Sequence, residues 1–115
     1  MRRGEILLVD LEPARGSEAD KRRPAVLVSN DGANATADRL GQGVVTIVPV
    51  TTGIARVFPF QVLLPAAARG LRHDSKAQAE QVRAVAVERV GRVVGRLPAP
   101  LQAALDDALW LHLGL

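Results

Sequence analysis

Three separated segments of the chain carry side chains suited to chemistry on an anion. The first reads G-S-E-x-x-x-x-R-P and holds Gly16, Ser17, Glu18, Arg23 and Pro24. The second, V-P-V-T-T, ends in Thr51 and Thr52. The third, D-S-x-x-x-x-E-Q-V-R, holds Asp74, Ser75, Glu80, Gln81, Val82 and Arg83. A guanidinium forks onto two oxygens at once, and a hydroxyl both donates and accepts. Each segment alone is ordinary. An arginine before a strand is usually a solvated charge, a threonine after one a turn former, and a polar pair in a strand its wet face. Placement changes the weighing, because Arg23 opens one expected strand and Thr51 closes another. If the two strands are antiparallel neighbours, both residues share one rim of the sheet, and the surrounding loops make a cleft.

The elements that must position these residues are read from period and punctuation. Glu5–Asp10 is expected to be a buried strand, Pro24–Ser29 a second and Val44–Val50 a third, each with an apolar, β-branched centre. Pro24 lacks a backbone donor and belongs at a strand start. Between them lie a long polar loop, 11–22, and a Gly-, Asn- and Asp-rich stretch, 30–43, with a helical turn around Ala35–Leu40. Thr51–Phe58 reads as a short flexible loop and Phe60–Leu64 as a fourth strand. Residues 65–73 are rich in turn formers. Ser75–Val85 suits strand or helix: its Ala and Gln content favours helix, and only its neighbours argue strand. Val87–Leu97 is a short turn followed by a strand-like V-V-G-R-L. From Pro98 the tail is a helix, with Pro98 and Pro100 in its first turn and Gly114 as its stop. Leu101, Leu105, Ala108 and His112 recur at helical spacing, and Trp110 falls among them as an expected core residue. Five or six short strands with one closing helix predict a mainly β protein with α, a small curled β-barrel on which the helix packs.

Bulk properties bound the partners. The chain has 115 residues, which suits one domain over 1–115, and 48% of them are apolar, enough for a core. Formal net charge is +3 and the isoelectric point is near 10.5. The last fifteen residues contribute only Asp106 and Asp107, so the body is more basic than the total. Thirteen of the fifteen basic residues are arginine, the better fork for phosphate and guanine. A basic excess points to a polyanion or an acidic protein partner; an arginine-favouring codon bias would produce it equally well. Cysteine is absent, which excludes disulfides, thiolate catalysis and Cys-bound zinc. His73 and His112 have no companion at ligand spacing, so no metal or cofactor is expected. The opening Met-Arg-Arg-Gly-Glu has no signal-type apolar run, and no stretch approaches a membrane span. A cytoplasmic location is expected.

Six blocks, taken in order, resemble the MazF/PemK family of toxins. They are R-G-E-I-x-x-V-D-L-x-P-A-R-G-S-E at the start, R-P-A-V-L-V-S-N-D, V-P-V-T, F-P-F-Q-V-L-L-P, D-S followed by E-Q-V-R, and the closing L-D-D-A-L-x-x-H-L-G-L. They span the whole chain, and the likeness is strongest to actinobacterial members. The resemblance implies an SH3-like (PemK/CcdB-like) barrel with a C-terminal helix, working as a homodimer. It implies metal-independent cleavage of single-stranded RNA, including mRNA, at a short recognition sequence, leaving a 2′,3′-cyclic phosphate and a 5′-hydroxyl. It further implies an acidic MazE-like antitoxin that covers the basic cleft, with operator DNA contacted only through that antitoxin.

The family's catalytic arginine falls on Arg23 and its catalytic threonine on Thr51. Its first-loop Ser-Glu falls on Ser17 and Glu18, and its later Gln and Arg fall on Gln81 and Arg83. Many members carry Gln after Gly-Ser-Glu, where this chain has Ala19; base preference or loop shape is therefore expected to differ. In such a reaction Arg23 suits charge stabilisation, Thr51 a hydrogen bond to the phosphate or the 2′-hydroxyl, and Glu18 the base. Thr52, Arg56, Ser75, Gln81 and Arg83, with Ser17, are expected to read the RNA. Aromatics are so few (Phe58, Phe60 and Trp110) that stacking on them is not expected to be the main grip. Two other readings use the same fold: a gyrase-type protein poison acting through a Trp near the chain end, and a silent module that only pairs with an antitoxin and its operator.

Overall fold

A computed structural model describes residues 1–11, 22–66 and 70–115. Seven strands and two helices follow in the order β1 (Glu5–Asp10), β2 (Arg22–Leu27), α1 (Asp31–Leu40), β3 (Val44–Thr51), β4 (Gln61–Leu64), β5 (Ser75–Gln78), β6 (Arg83–Ala86), β7 (Val90–Arg96) and α2 (Ala99–Leu113). The strands form one antiparallel sheet ordered β4-β5-β3-β2-β1-β7, with β6 also on β3. β4 and β7 end this path and are not paired with each other, so the sheet curls in the manner of a barrel without closing.

The apolar runs of β1 to β3 reflect burial on both faces. Ile6, Val26, Val48 and Val50 pack with Val62, Leu64 and Ala77 beneath Leu105 and Ala108 of α2. Leu7, Val9, Ala25, Leu27, Val45 and Ile47 form the other layer with Ala37 of α1 and with Val85 and Val87. Strand alternation makes these two layers from neighbouring residues of the same strands.

Several elements depart from expectation. β2 begins at Arg22 rather than Pro24 and ends at Leu27 rather than Ser29. Pro24 sits inside the strand, opposite Leu8 of β1. Ser29 instead serves α1: its hydroxyl bonds Asn34 Oδ1, and Asn34 Nδ2 donates to its carbonyl at 2.8 Å. α1 is a full ten residues because Asn30 caps it, accepting from the Ala33 N–H at 2.8 Å, and Gly41 stops it at φ 65°. The ambiguous 75–85 stretch is strand, not helix: β5 pairs with β3 and β4, a 3₁₀ turn over Ala79–Gln81 intervenes, and β6 pairs with β3. Its Ala and Gln content was overridden by tertiary pairing. α2 matches expectation at both ends, but it buries only Leu105 and Ala108 fully, while His112 and Trp110 are exposed. Trp110 is therefore not a core residue. No helix among the described residues is long and apolar enough to cross a membrane.

Candidate active site

Pro24 and Pro49 mark where the sheet opens. The β2–β3 ladder runs Leu27–Ile47, Val26–Val48 and Ala25–Pro49, and stops there. Pro24 has no amide hydrogen with which to extend it. Pro49 lies where β3 exchanges its outer neighbour: Ile47 still pairs with Arg83 of β6, whereas Val50 pairs with Ala77 of β5. Beyond this point Arg22 and Arg23 stay with β1, opposite Asp10 and Val9, while Thr51 goes with β5, opposite Lys76. The parting strands leave a cleft of about 340 Å³ lined by Leu11, Arg23, Pro24, Pro49, Val50, Thr51, Thr52, Ser75 and Gln78.

Arg23 and Thr51 thus share one cleft, as the expected antiparallel neighbourhood of their strands required. Arg23 is exposed, and its guanidinium has no hydrogen-bond or ion-pair partner among the described residues. The Thr51 hydroxyl oxygen takes only a long contact from the Gly53 N–H, at 3.4 Å, which leaves its own hydrogen free to donate. No carboxylate is among the described residues lining the cleft. A cationic fork and a free hydroxyl that line one cleft, with no anion among its described lining residues, make a receptor for an anionic group. Among the described residues no group of three or more His, Cys, Asp or Glu side chains is placed to hold a metal.

The other expected residues divide. Thr52 is exposed and lines the cleft. Ser75 also lines it, but the residue is buried, and its hydroxyl donates to the His73 carbonyl at 2.9 Å. Arg83 is not a lining residue; its Nη1 donates to the carbonyl of Leu11, which is one, at 3.3 Å. Gln81 is exposed on the 3₁₀ turn, outside the cleft lining. Arg56 is also outside it, 5.5 Å from the centroid of the Phe58 ring, and that ring stacks on Phe60 at 5.3 Å with planes 8° apart. Two of the three aromatics are therefore gathered into one stack beside a guanidinium, which composition alone did not suggest. Ser17 and Glu18 lie outside the described residues.

Two contributors were not anticipated. Gln78 lines the cleft from the end of β5, where it pairs with Gln61; it stands three residues from Ser75, so strand alternation counted from that residue does not find it. Lys76 is 8% exposed, and its Nζ donates to the Arg56 carbonyl at 2.7 Å. It pairs with Thr51 on one side and Leu63 on the other, so its ammonium reaches beneath the 52–60 loop. Gln61 fastens the same loop, accepting from the Phe58 N–H at 3.1 Å and donating to Glu80 at 2.7 Å.

Comparison with known proteins places the chain in a family. Residues 2–113 match the model of the PemK-like, MazF-like toxin of type II toxin–antitoxin systems. The chain is 65% identical over its full length to a Mycobacterium tuberculosis protein named endoribonuclease MazF9, covering 98% of that protein. It is 31% identical, again over its full length, to the Staphylococcus epidermidis endoribonuclease MazF, covering 92% of it. A solved mycobacterial endoribonuclease, in complex with its cognate antitoxin, superposes with a TM-score of 0.78 at 22% identity, covering 100% of this chain and 96% of that one; that likeness speaks for the fold. With an end-to-end family match and a close full-length relative beside the shared fold, the chain belongs to the PemK-like, MazF-like toxins of type II toxin–antitoxin systems.

Proposed function

We propose that this MazF-type endoribonuclease toxin cuts single-stranded RNA without a metal, holding the scissile phosphate between Arg23 and Thr51. The observation that carries the reading is the cleft itself, bordered by an unpartnered guanidinium and a free hydroxyl with no lining carboxylate among the described residues. RNA brings its own nucleophile. The 2′-oxygen attacks phosphorus, the bond to the 5′-oxygen breaks, a base takes the 2′ proton, and the leaving oxygen gains one. The products are a 2′,3′-cyclic phosphate and a 5′-hydroxyl. What the protein must supply is alignment and charge stabilisation. Arg23 answers the charge that grows on the phosphate oxygens. Thr51 donates to a non-bridging oxygen or aligns the 2′-hydroxyl. Glu18 takes the 2′ proton, an assignment that rests on sequence alone.

Thr52, Ser75, Ser17, Gln81, Arg83 and Arg56 belong to the surface that reads the flanking bases. The whole of 1–115 acts as one domain in the cytoplasm, as a homodimer; the exposed apolar residues Trp110, Leu111, Leu113 and Leu115 at the end of α2 support such association. An acidic MazE-like antitoxin segment folds over the basic cleft and competes with RNA. The solved mycobacterial neighbour was captured with its cognate antitoxin. Exposure of Trp110 is the one observation that favours a protein-directed poison; the full-length 65% identical relative, named an endoribonuclease, weighs the other way.

Cut-site mapping of a long RNA by purified protein in EDTA, with product ends identified, tests all of this. Cuts at one short sequence with cyclic-phosphate ends are expected, and none from Arg23→Ala. Cleavage that needs added metal, or that survives Arg23→Ala, overturns the proposal.

A further inference from the structure

A second cleft, of about 420 Å³, adjoins the first and shares Pro24, Thr52 and Ser75 with it. Its remaining wall sets basic side chains among Leu8, Gly70, Leu71 and Val94. Arg22 enters from β2, Arg92 from β7, and Arg72 and His73 from the loop ahead of β5. No carboxylate is among its described lining residues; Asp10, across the ladder from Arg22, is not one of them. Among the described residues none of the three guanidiniums has a hydrogen-bond or ion-pair partner, and all three arginines are exposed. Three like charges are thus held around one concavity with no carboxylate among its described lining residues, an arrangement that favours an incoming anion.

The backbone is shaped to allow it. A Cβ on Gly91 would lie 2.8 Å from Arg22 Nη1, so the bare glycine lets that guanidinium lie across β7. Gly70, at φ +70°, brings the loop carrying Arg72 and His73 so close to β7 that a Cβ there would meet the Val94 carbonyl oxygen at 2.1 Å. The wall that carries Arg72 and His73 depends on a residue with no side chain.

We infer that this cleft is a second phosphate subsite, taking the backbone phosphates of the RNA strand as it leaves the Arg23–Thr51 cleft. The inference rests on the RNA reading of the neighbouring cleft and adds to it a cationic track outside the reacting centre. A strand crossing Thr52 and Ser75 passes from one concavity to the other without leaving the surface. The subsite grips backbone and reads no base, so it raises affinity for every sequence alike.

The test is fluorescence anisotropy with a labelled pool of random 12-nucleotide RNA, 2′-O-methylated so that it cannot be cut, titrated over a salt series. The Arg72→Ala/Arg92→Ala double variant is expected to bind roughly tenfold weaker per arginine removed. Its log–log salt slope should fall by about 0.7 per lost phosphate contact. Arg39→Ala, which removes one such charge from an exposed position of α1, should change neither. An unchanged affinity and slope in the double variant overturns the inference, as does an equal loss in Arg39→Ala. If the unsubstituted protein fails to cut RNA while the double variant still loses affinity, the subsite stands and the nuclease reading falls.

Discussion

Arg23 comes opposite Thr51 when the β2–β3 register is continued two residues past Ala25–Pro49, its last rung. Each is held by a different ladder, Arg23 by β1 and Thr51 by β5, and both line the cleft between. This pairing of a fork with a hydroxyl leads to the first two predictions.

Arg23→Lys keeps the charge and discards the planar fork. If two phosphate oxygens must be held at once, kcat should fall by roughly 10²-fold, though less than for Arg23→Ala. The side chain is exposed, so stability should change by no more than about 0.5 kcal/mol. Single-turnover cleavage alongside thermal melts measures both; full activity in the lysine variant would refute bidentate binding.

Thr51→Val preserves shape and β-branching and removes the hydroxyl. The strand pairing with Lys76 uses backbone and should persist. A fall in kcat of roughly 10²-fold with unchanged RNA affinity is expected if the hydroxyl acts on the reacting group. A rise in KM alone would assign it to ground-state binding.

Lys76→Met tests how the 52–60 loop is held. The variant loses the bond from Nζ to the Arg56 carbonyl and also relieves the burial of a charge. These effects oppose each other, so net stability should shift by less than about 1 kcal/mol. Amide exchange at residues 52–58 should nonetheless quicken, and KM should rise. Hydrogen-exchange mass spectrometry reads the first directly, and unaltered protection there would remove Lys76 from this role.

Gly70→Ala should be the most damaging glycine-to-alanine change among the described residues. It combines a left-handed φ with a Cβ driven against the Val94 carbonyl. A loss of about 2 kcal/mol or more is expected by chemical denaturation. Gly41→Ala has a similar φ but open space around its Cβ, and should cost about 1 kcal/mol.

Much of this was legible in the residues. The span Glu5–Asp10 and the helix closing on Gly114 follow from apolar period and capping chemistry. Arg23 and Thr51 could be paired in advance because each lies at a strand end. Ser75–Val85 could not be resolved, since two four-residue strands around a 3₁₀ turn leave no period long enough to count. Lys76 carried no signal, because burial of an amine is decided by a loop twenty residues away. The second basic cleft was invisible for the same reason: Arg22, Arg72 and Arg92 are distant in sequence, and only the curl of the sheet gathers them. Trp110 was misjudged because an apolar helix longer than the layer it covers must leave its far end in water.

The early end of the β2–β3 ladder has a mechanical consequence. With Pro24 unable to stitch the strands together, no rung of the β2–β3 ladder spans the gap between guanidinium and hydroxyl. A bound phosphate would act there as a rivet, stiffening from outside a joint that the backbone leaves unsewn. A ligand lodged as a wedge in the same gap would disarm both groups without touching either one's own strand.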